Sequence, residues 1–297
     1  MNVDKIFIKS FLHTFKDESF CVKFWDGDEV KVGENDPLFK IILKKPIPKK
    51  DILTSTTLAF GEAYMNGDLE VEGDFSLMLN TVLKYKDKFT TDFKGLPKIF
   101  SNLTSTKKQK EEVTYHYDIG NDFYKLMDYR ELEKSGLLFD RVVSVGMLEH
   151  VGRSNYDLFM KCVSKVLKKE GVFVLHYISG LYESEGDAWI KKYIFPGGVI
   201  PTLREIISLS ADYKFYTVDV ESLRMHYYNT LIKWAENFEK NTDKVREMFD
   251  EKFVRMWRMY LYSCAACFYT GVIDLHQIVF TKGVNNSLPL TREYLYK

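Results

Sequence analysis

The 297-residue sequence has little cysteine, no surplus of either charge and no long apolar run. Four cysteines stand far apart, at Cys21, Cys162, Cys264 and Cys267. They are too few and too scattered for a disulfide framework, which fits a reducing cytoplasm. Lys and Arg number 42, Asp and Glu also 42, so the formal net charge is zero. A chain that grips nucleic acid by its phosphates needs a basic surplus, and the balance argues against that class. The N-terminus has no continuous apolar core of signal-peptide type. The most apolar stretch, Met259 to Tyr269, falls short of the ~20 residues that span a bilayer and reads as a buried helix. Membrane contact is therefore expected to be peripheral. What the chain does have is aromatics, with 22 Phe, 19 Tyr and 4 Trp. They can line an apolar pocket, although most aromatics in any protein are core.

The first 87 residues read as a small α+β domain. Phe20 to Lys31 alternates around Asp26-Gly27 and predicts a hairpin with a two-residue turn. Phe39–Leu43 and Leu69–Gly73 predict strands, and Leu58–Met65 and Phe75–Tyr85 helices. Residues 88–113 are polar and read as a linker. From 114 to 297 strands and helices alternate. Phe139–Gly146, Gly171–Ile178, Tyr213–Val220 and Leu275–Thr281 predict strands. Asn155–Leu167, Leu203–Leu209, Tyr227–Phe238 and Lys252–Tyr269 predict helices. That alternation implies an α/β domain with a mostly parallel sheet covered on both faces and a ligand at the strands' carboxyl ends.

Functional groups collect at such ends. The first strand runs into Gly146-Met147-Leu148-Glu149-His150, and the second carries His176. A lone His in an apolar strand is more often a core residue. A carboxylate beside apolar residues is costly without a partner, which favours Glu149 as functional. In Tyr115 to Tyr124, Asp118 or Asn121 suits a helix cap. Cys264-Ala265-Ala266-Cys267 has CxxC spacing but lies in an apolar helical run, so it reads as packing and no metal site is expected. Lys44, Lys45, Lys49, Lys50 and the linker's Lys107, Lys108 and Lys110 are basic clusters, either solvated surface or contacts to anionic headgroups.

Several stretches fall together in one order: Phe24-Trp25-Asp26-Gly27, Leu58 to Met65 (LAFGEAYM), His116 to Tyr124 (HYDIGNDFY), Val145 to Gly152 (VGMLEHVG), Tyr193 to Gly198 (YIFPGG), Leu223 to Tyr227 (LRMHY) and Val279 to Val284 (VFTKGV). In these the chain resembles the cyclopropane-fatty-acyl-phospholipid synthase family of S-adenosylmethionine-dependent methyltransferases. The resemblance implies a class I, Rossmann-like methyltransferase domain preceded by an α+β lipid-binding domain. It implies phospholipid acyl chains as partners, no nucleic acid, and a peripheral place on the inner face of the membrane. It implies a bicarbonate ion acting as base, with Glu149, His176, Tyr227 and the backbone of Ile178 as its ligands. It also implies cofactor contacts at Tyr117, Asp128 and Tyr129. The sequence leaves open whether the chain forms a homo-oligomer.

One block of the family pattern is absent. The family follows its His116-to-Tyr124 motif with a glycine-rich cofactor loop, yet here Tyr124-Lys125-Leu126 runs directly into Met127-Asp128-Tyr129-Arg130. No two of the 17 glycines stand in Gly-x-Gly spacing. Two to three βα units are missing, so the sheet is expected to be incomplete with a newly exposed edge. Four readings stand beside one another: an active cyclopropane synthase, an internally deleted form of one, a lipid-binding homologue without catalysis, and a sister methyltransferase that makes a branched acyl chain.

Overall fold

The computed structural model describes residues 3–15, 17–86 and 128–295. They form two compact units that cut across chain order. The first takes Met1–Ser101, Gly186–Pro196 and Arg224–Ile273; the second takes Asn102–Glu185, Gly197–Leu223 and Asp274–Lys297. The expected linker lies outside the described residues.

In the first unit four strands are ordered β2-β1-β3-β4, with β1 at Phe20–Lys23, β2 at Glu29–Val32, β3 at Phe39–Leu43 and β4 at Leu69–Gly73. β1 pairs antiparallel with β2 and parallel with β3, and β3 pairs antiparallel with β4. The hairpin is present, but its loop is longer than the two residues expected. The last pair is Lys23↔Glu29, and the Phe24 N–H donates to the Asp28 carbonyl at 2.8 Å. Phe24 is buried in the core, and Asp28 accepts from Lys9 at 2.6 Å, so both ends of the loop are held. Gly27 takes φ +86°, which glycine adopts without a Cβ penalty.

The strand faces bury Phe20, Val22, Phe39 and Leu43 against Ile8 and Leu12 of a helix over Val3–Leu12, which the sequence pattern did not reveal. Phe20 and Phe39 stack with centroids 5.0 Å apart. The longer helices of this unit are Thr56–Met65, Phe75–Lys84, Arg224–Glu239 and Glu251–Thr270, with the shorter Lys49–Thr54, Ala188–Tyr193 and Thr242–Met248 beside them in the chain. The first starts on a Ser55 cap and the second on Asp74, each side chain accepting a backbone N–H three residues on.

The second unit holds β5 (Phe139–Val145), β6 (Leu167–Gly180), β7 (Phe215–Ser222) and β8 (Ile273–Lys282), ordered β5-β6-β8-β7. β5 and β6 are parallel, as expected. β7 and β8 are antiparallel, which corrects the expectation of a mostly parallel sheet. The reason is topological. Ser222 at the end of β7 pairs with His276, so the whole stretch from Arg224 to Ile273 is a helical excursion inside what is otherwise a hairpin. Strand direction is invisible to a period-2 pattern, and this excursion hid the hairpin.

One face of this sheet buries Phe173, Leu175, Tyr177, Ile278 and Phe280 against the helices Tyr156–Val166 and Leu203–Asp212. The second helix begins with a capping box between Thr202 and Glu205. The expected cover of the other face is partial among the described residues: it is half-buried along β6 but open at the outer strand β5, with Val143 64% and Val145 65% exposed. Among the described residues no helix is long and apolar enough to cross a membrane.

Candidate active site

The end of β5 is built to turn. Gly146 follows the strand at φ +62°, and its N–H donates to the His176 carbonyl of β6 at 2.9 Å. That bond holds the ends of two parallel strands side by side. The chain then enters the short helix Leu148–Val151, which carries Glu149. Leu148 and Val151 are buried and fix its orientation. The Glu149 carbonyl accepts from the Val199 N–H at 3.0 Å.

Glu149 Oε1 accepts the Ile178 backbone N–H at 2.6 Å. Oε2 is out of water with no partner among the described residues. Burial pushes this carboxyl above its ordinary value, and the Ile178 N–H only partly opposes the shift. Two buried phenols share its field. Tyr156, at the start of the helix Tyr156–Val166, and Tyr177 of β6 are both pushed upward, first by burial and then with help from the Glu149 charge. The Tyr177 hydroxyl also has no partner among the described residues. A buried carboxylate oxygen or phenol without a partner is expensive unless a ligand or water completes it. Glu149 Oε2 is thus open to a donor carried by a small ligand.

The predicted residues fall as follows. Glu149 and the Ile178 N–H are brought together. His176 lies two residues earlier on β6, on the same strand face as Ile178. Tyr227 belongs to the helix Arg224–Glu239 of the first unit, where its ring meets Phe268 edge-on at 5.1 Å. Asp128 caps the 3-10 turn Tyr129–Ser135, and both its oxygens take the Arg130 guanidinium, at 2.8 and 2.6 Å. The Tyr129 ring packs edge-on against Phe159 at 5.7 Å. Tyr117, Asp118 and Asn121 lie outside the described residues, as do Lys107, Lys108 and Lys110. Lys44 pairs with Glu70, Lys45 with Asp68, and Lys49 sits over the Phe7 ring. Cys264 and Cys267 lie half-buried in the helix Glu251–Thr270, where burial pushes the Cys267 thiol to about 12 and raises Cys264 as well. Sequence reasoning missed Tyr156 and Tyr177. A tyrosine inside an otherwise apolar strand was the available signal for Tyr177.

Residues 125–278 match the model of the family "Mycolic acid cyclopropane synthetase", and residues 7–94 match "Domain of unknown function (DUF7884)". The cyclopropane-fatty-acyl-phospholipid synthase of Escherichia coli is 42% identical over 168 residues, 56% of this chain and 43% of that protein. The chain thus spans under half the length of that relative. A protein of Pseudomonas putida described as "Probable fatty acid methyltransferase" is 26% identical over 380 positions, covering 93% of this chain and 96% of that one. That alignment is longer than the 297 residues here, so the relative carries a stretch without a counterpart. The solved cyclopropane synthase MmaA2 of Mycobacterium tuberculosis shares 30% identity over 51% of this chain and 58% of that one, with a TM-score of 0.47. With more than half of its length matched by the family model, the chain belongs to the mycolic acid cyclopropane synthetase family of S-adenosylmethionine-dependent methyltransferases.

Proposed function

We propose that the chain carries the acyl-chain and base side of a cyclopropane-fatty-acyl-phospholipid synthase. Such an enzyme closes a methylene bridge across the cis double bond of a phospholipid acyl chain, working from the surface of the membrane. The observation that carries this reading is the Glu149 carboxylate, with one oxygen fixed by the Ile178 N–H and the other buried without a partner.

Closing the ring requires a proton to leave carbon beside a developing cation. The chain must keep water out, place negative charge nearby and hold a base within reach. Bicarbonate fits that need at Glu149. Its O–H would satisfy the Oε2 that has no partner among the described residues, and the buried carboxylate would take up that proton as the ion accepts the one leaving carbon. Ile178 then acts through Glu149, whose orientation its N–H sets. By family resemblance His176 is a further ligand.

S-adenosylmethionine supplies the methyl group as an electrophilic sulfonium. The described residues do not fit it. Asp128 is taken by Arg130, Tyr129 packs half-buried against Phe159, and the sequence has no Gly-x-Gly for close backbone approach to a cofactor. The exposed outer strand β5 supports the reading that the chain is an internally deleted form of the enzyme.

Two measurements test this. Isothermal titration of the chain with S-adenosylmethionine is expected to show no saturation at millimolar cofactor, and tight binding would overturn the deletion reading. A chimaera receives the missing segment of the Pseudomonas putida relative between Leu126 and Met127. Mass spectrometry of phospholipids from cells expressing it is expected to show a gain of CH2 with loss of the double bond. A methyl-branched or hydroxylated product would overturn cyclopropanation.

A further inference from the structure

Two polar side chains meet inside the second unit where the strand pattern asks for apolar ones. Ser179 follows Phe173, Leu175 and Tyr177 on the buried face of β6 and is 1% exposed. His276 stands at the head of the row Ile278, Phe280 on β8, the neighbouring strand. Ser179 Oγ and His276 Nδ1 lie 2.6 Å apart. A buried hydrogen bond adds little net stability over an apolar pair of the same shape. What it adds is direction. Apolar side chains slide past each other cheaply, whereas a hydrogen bond weakens steeply with distance and angle.

The restraint falls beside one particular amide. The Ile178 N–H, which donates to Glu149 Oε1 at 2.6 Å, belongs to the peptide that joins Tyr177 to Ile178. On one side of that peptide the Tyr177 ring is buried in the core with Phe173 and Leu175, and the His176 carbonyl accepts from Gly146 at 2.9 Å. On the other side Ser179 is the next residue. After it the Gly180 N–H donates to the Pro201 carbonyl at 2.9 Å. Glu149 itself rides on the helix Leu148–Val151, only 4 residues long, so the aim of its carboxyl depends on a partner fixed elsewhere.

We propose that Ser179 and His276 are positioning residues for Glu149. Their bond fixes the end of β6 against β8, so that the Tyr177–Ile178 amide stays aimed at Oε1 while Oε2 is left open. The catalytic meaning of that placement rests on the reading of Glu149 given above; the placement itself does not. Asp274 Oδ2 faces His276 Nε2 at 3.8 Å from the same strand, and Tyr156 and Tyr177 are the phenols that feel the Glu149 charge. Ser179→Ala leaves all of these groups in place. A change in how Glu149 titrates in that variant therefore reports the amide and not a lost charge.

The test uses NMR on the full chain, isotope-labelled at the glutamate carboxyl carbons and the backbone nitrogens. Glu149→Gln identifies the Glu149 signal by its loss. Two quantities are read: the pH midpoint at which Glu149 titrates, and the exchange rate of the Ile178 amide hydrogen at one fixed pH. The Ile178 N–H favours the charged carboxylate. Ser179→Ala should therefore raise the midpoint by about one pH unit and speed Ile178 exchange about tenfold. The Phe173 and Leu175 amides should keep their rates. His276→Ala should reproduce both effects. His276→Gln, whose side-chain amide can pair with Ser179 in either role, should restore both. Where Ser179→Ala alone fails to fold, Ser179→Ala with His276→Leu removes both polar groups, leaves neither unpaired and should show the same two changes. An unchanged Glu149 midpoint and Ile178 rate in a folded variant would overturn the proposal. So would equal acceleration of all three amides, or a glutamine variant that restores neither quantity. Neither readout needs cofactor, lipid or methyl transfer. The positioning can fail while Glu149 serves catalysis, and it can hold in a chain that makes no cyclopropane.

Discussion

Ser179 Oγ and His276 Nδ1 stand 2.6 Å apart and tie β6 to β8 one residue beyond Ile178, the backbone donor to Glu149. Ser179 is buried at 1% exposure. The other ring nitrogen faces Asp274 Oδ2 at 3.8 Å, and Asp274 is itself held by the Ser222 hydroxyl and the Leu275 N–H. A short contact with a hydroxyl, set in buried surroundings, favours a neutral ring that accepts from Ser179.

Burial lowers the His276 value from 6.5 although Asp274 pulls it upward. A histidine with a depressed folded value stabilises the fold above its unfolded value and loses that contribution as pH falls below it. Melting temperature should therefore drop as pH falls below 6.5, and His276→Gln should flatten that slope. Ser179→Ala should cost about 1–2 kcal/mol by leaving a buried ring nitrogen unpaired. An unchanged pH profile in the glutamine variant would refute this role.

Glu149 has the opposite sign. Its folded value is raised, so the native state is favoured at low pH and pays a penalty as pH rises from 4.5 through the raised value. Glu149→Gln removes the charge that costs this energy. It should flatten that pH dependence, read as melting temperature against pH. In the restored chimaera the same change should reduce turnover at least a hundredfold, the scale of lost general acid–base catalysis. Lipid binding by the chimaera should stay unchanged; equal losses in both would argue against a catalytic role.

Gly61→Ala tests the motif around residue 60. An added Cβ would lie 2.4 Å from Trp189 Cδ1. Alanine normally stabilises a helix interior relative to glycine by about 1 kcal/mol. Here overpacking should win and cost about 1–3 kcal/mol in a denaturant melt. A more stable variant would show that Trp189 shifts freely.

Asp28 joins the hairpin loop to the N-terminal helix through Lys5 and Lys9. Those two lysines hold its carboxyl at about 2, below the ordinary 3.8. The contribution is present above 3.8 and lost as pH falls toward 2. Limited proteolysis of the helix Val3–Leu12 should accelerate over that window, and more so at high salt, because exposed pairs are screened. Asp28→Asn should remove the pH dependence.

Much of this was legible in the sequence, for reasons that can be named. β1, β3, β4 and the long helices announce themselves by period. Glu149 was singled out by the cost of burying a carboxylate, and the structure shows its Oε1 taken by the Ile178 N–H. The motif Phe60-Gly61-Glu62-Ala63-Tyr64-Met65 is explained by Trp189 and Tyr193. Met65 Sδ accepts from the Trp189 indole N–H at 3.3 Å, and Glu62 accepts from the Tyr193 hydroxyl at 2.6 Å. Other features were hidden. The helix Val3–Leu12 buries only Ile8 and Leu12, a stripe too thin to stand out. The compact units draw on distant stretches, and no local pattern reports which stretch joins which.

The excursion Arg224–Ile273 leaves and returns between strands already paired at Ser222↔His276. Arg224 also fastens the far end, its Nη1 donating to the Phe268 and Tyr269 carbonyls. Its two ends are thus held side by side. Closing such a loop costs little more when it is lengthened, since the entropy grows only with the logarithm of length. What fixes the segment is therefore its packing rather than its length: Ala266 sits in the first unit's core, and Arg255 reaches Glu70 and the Tyr64 carbonyl.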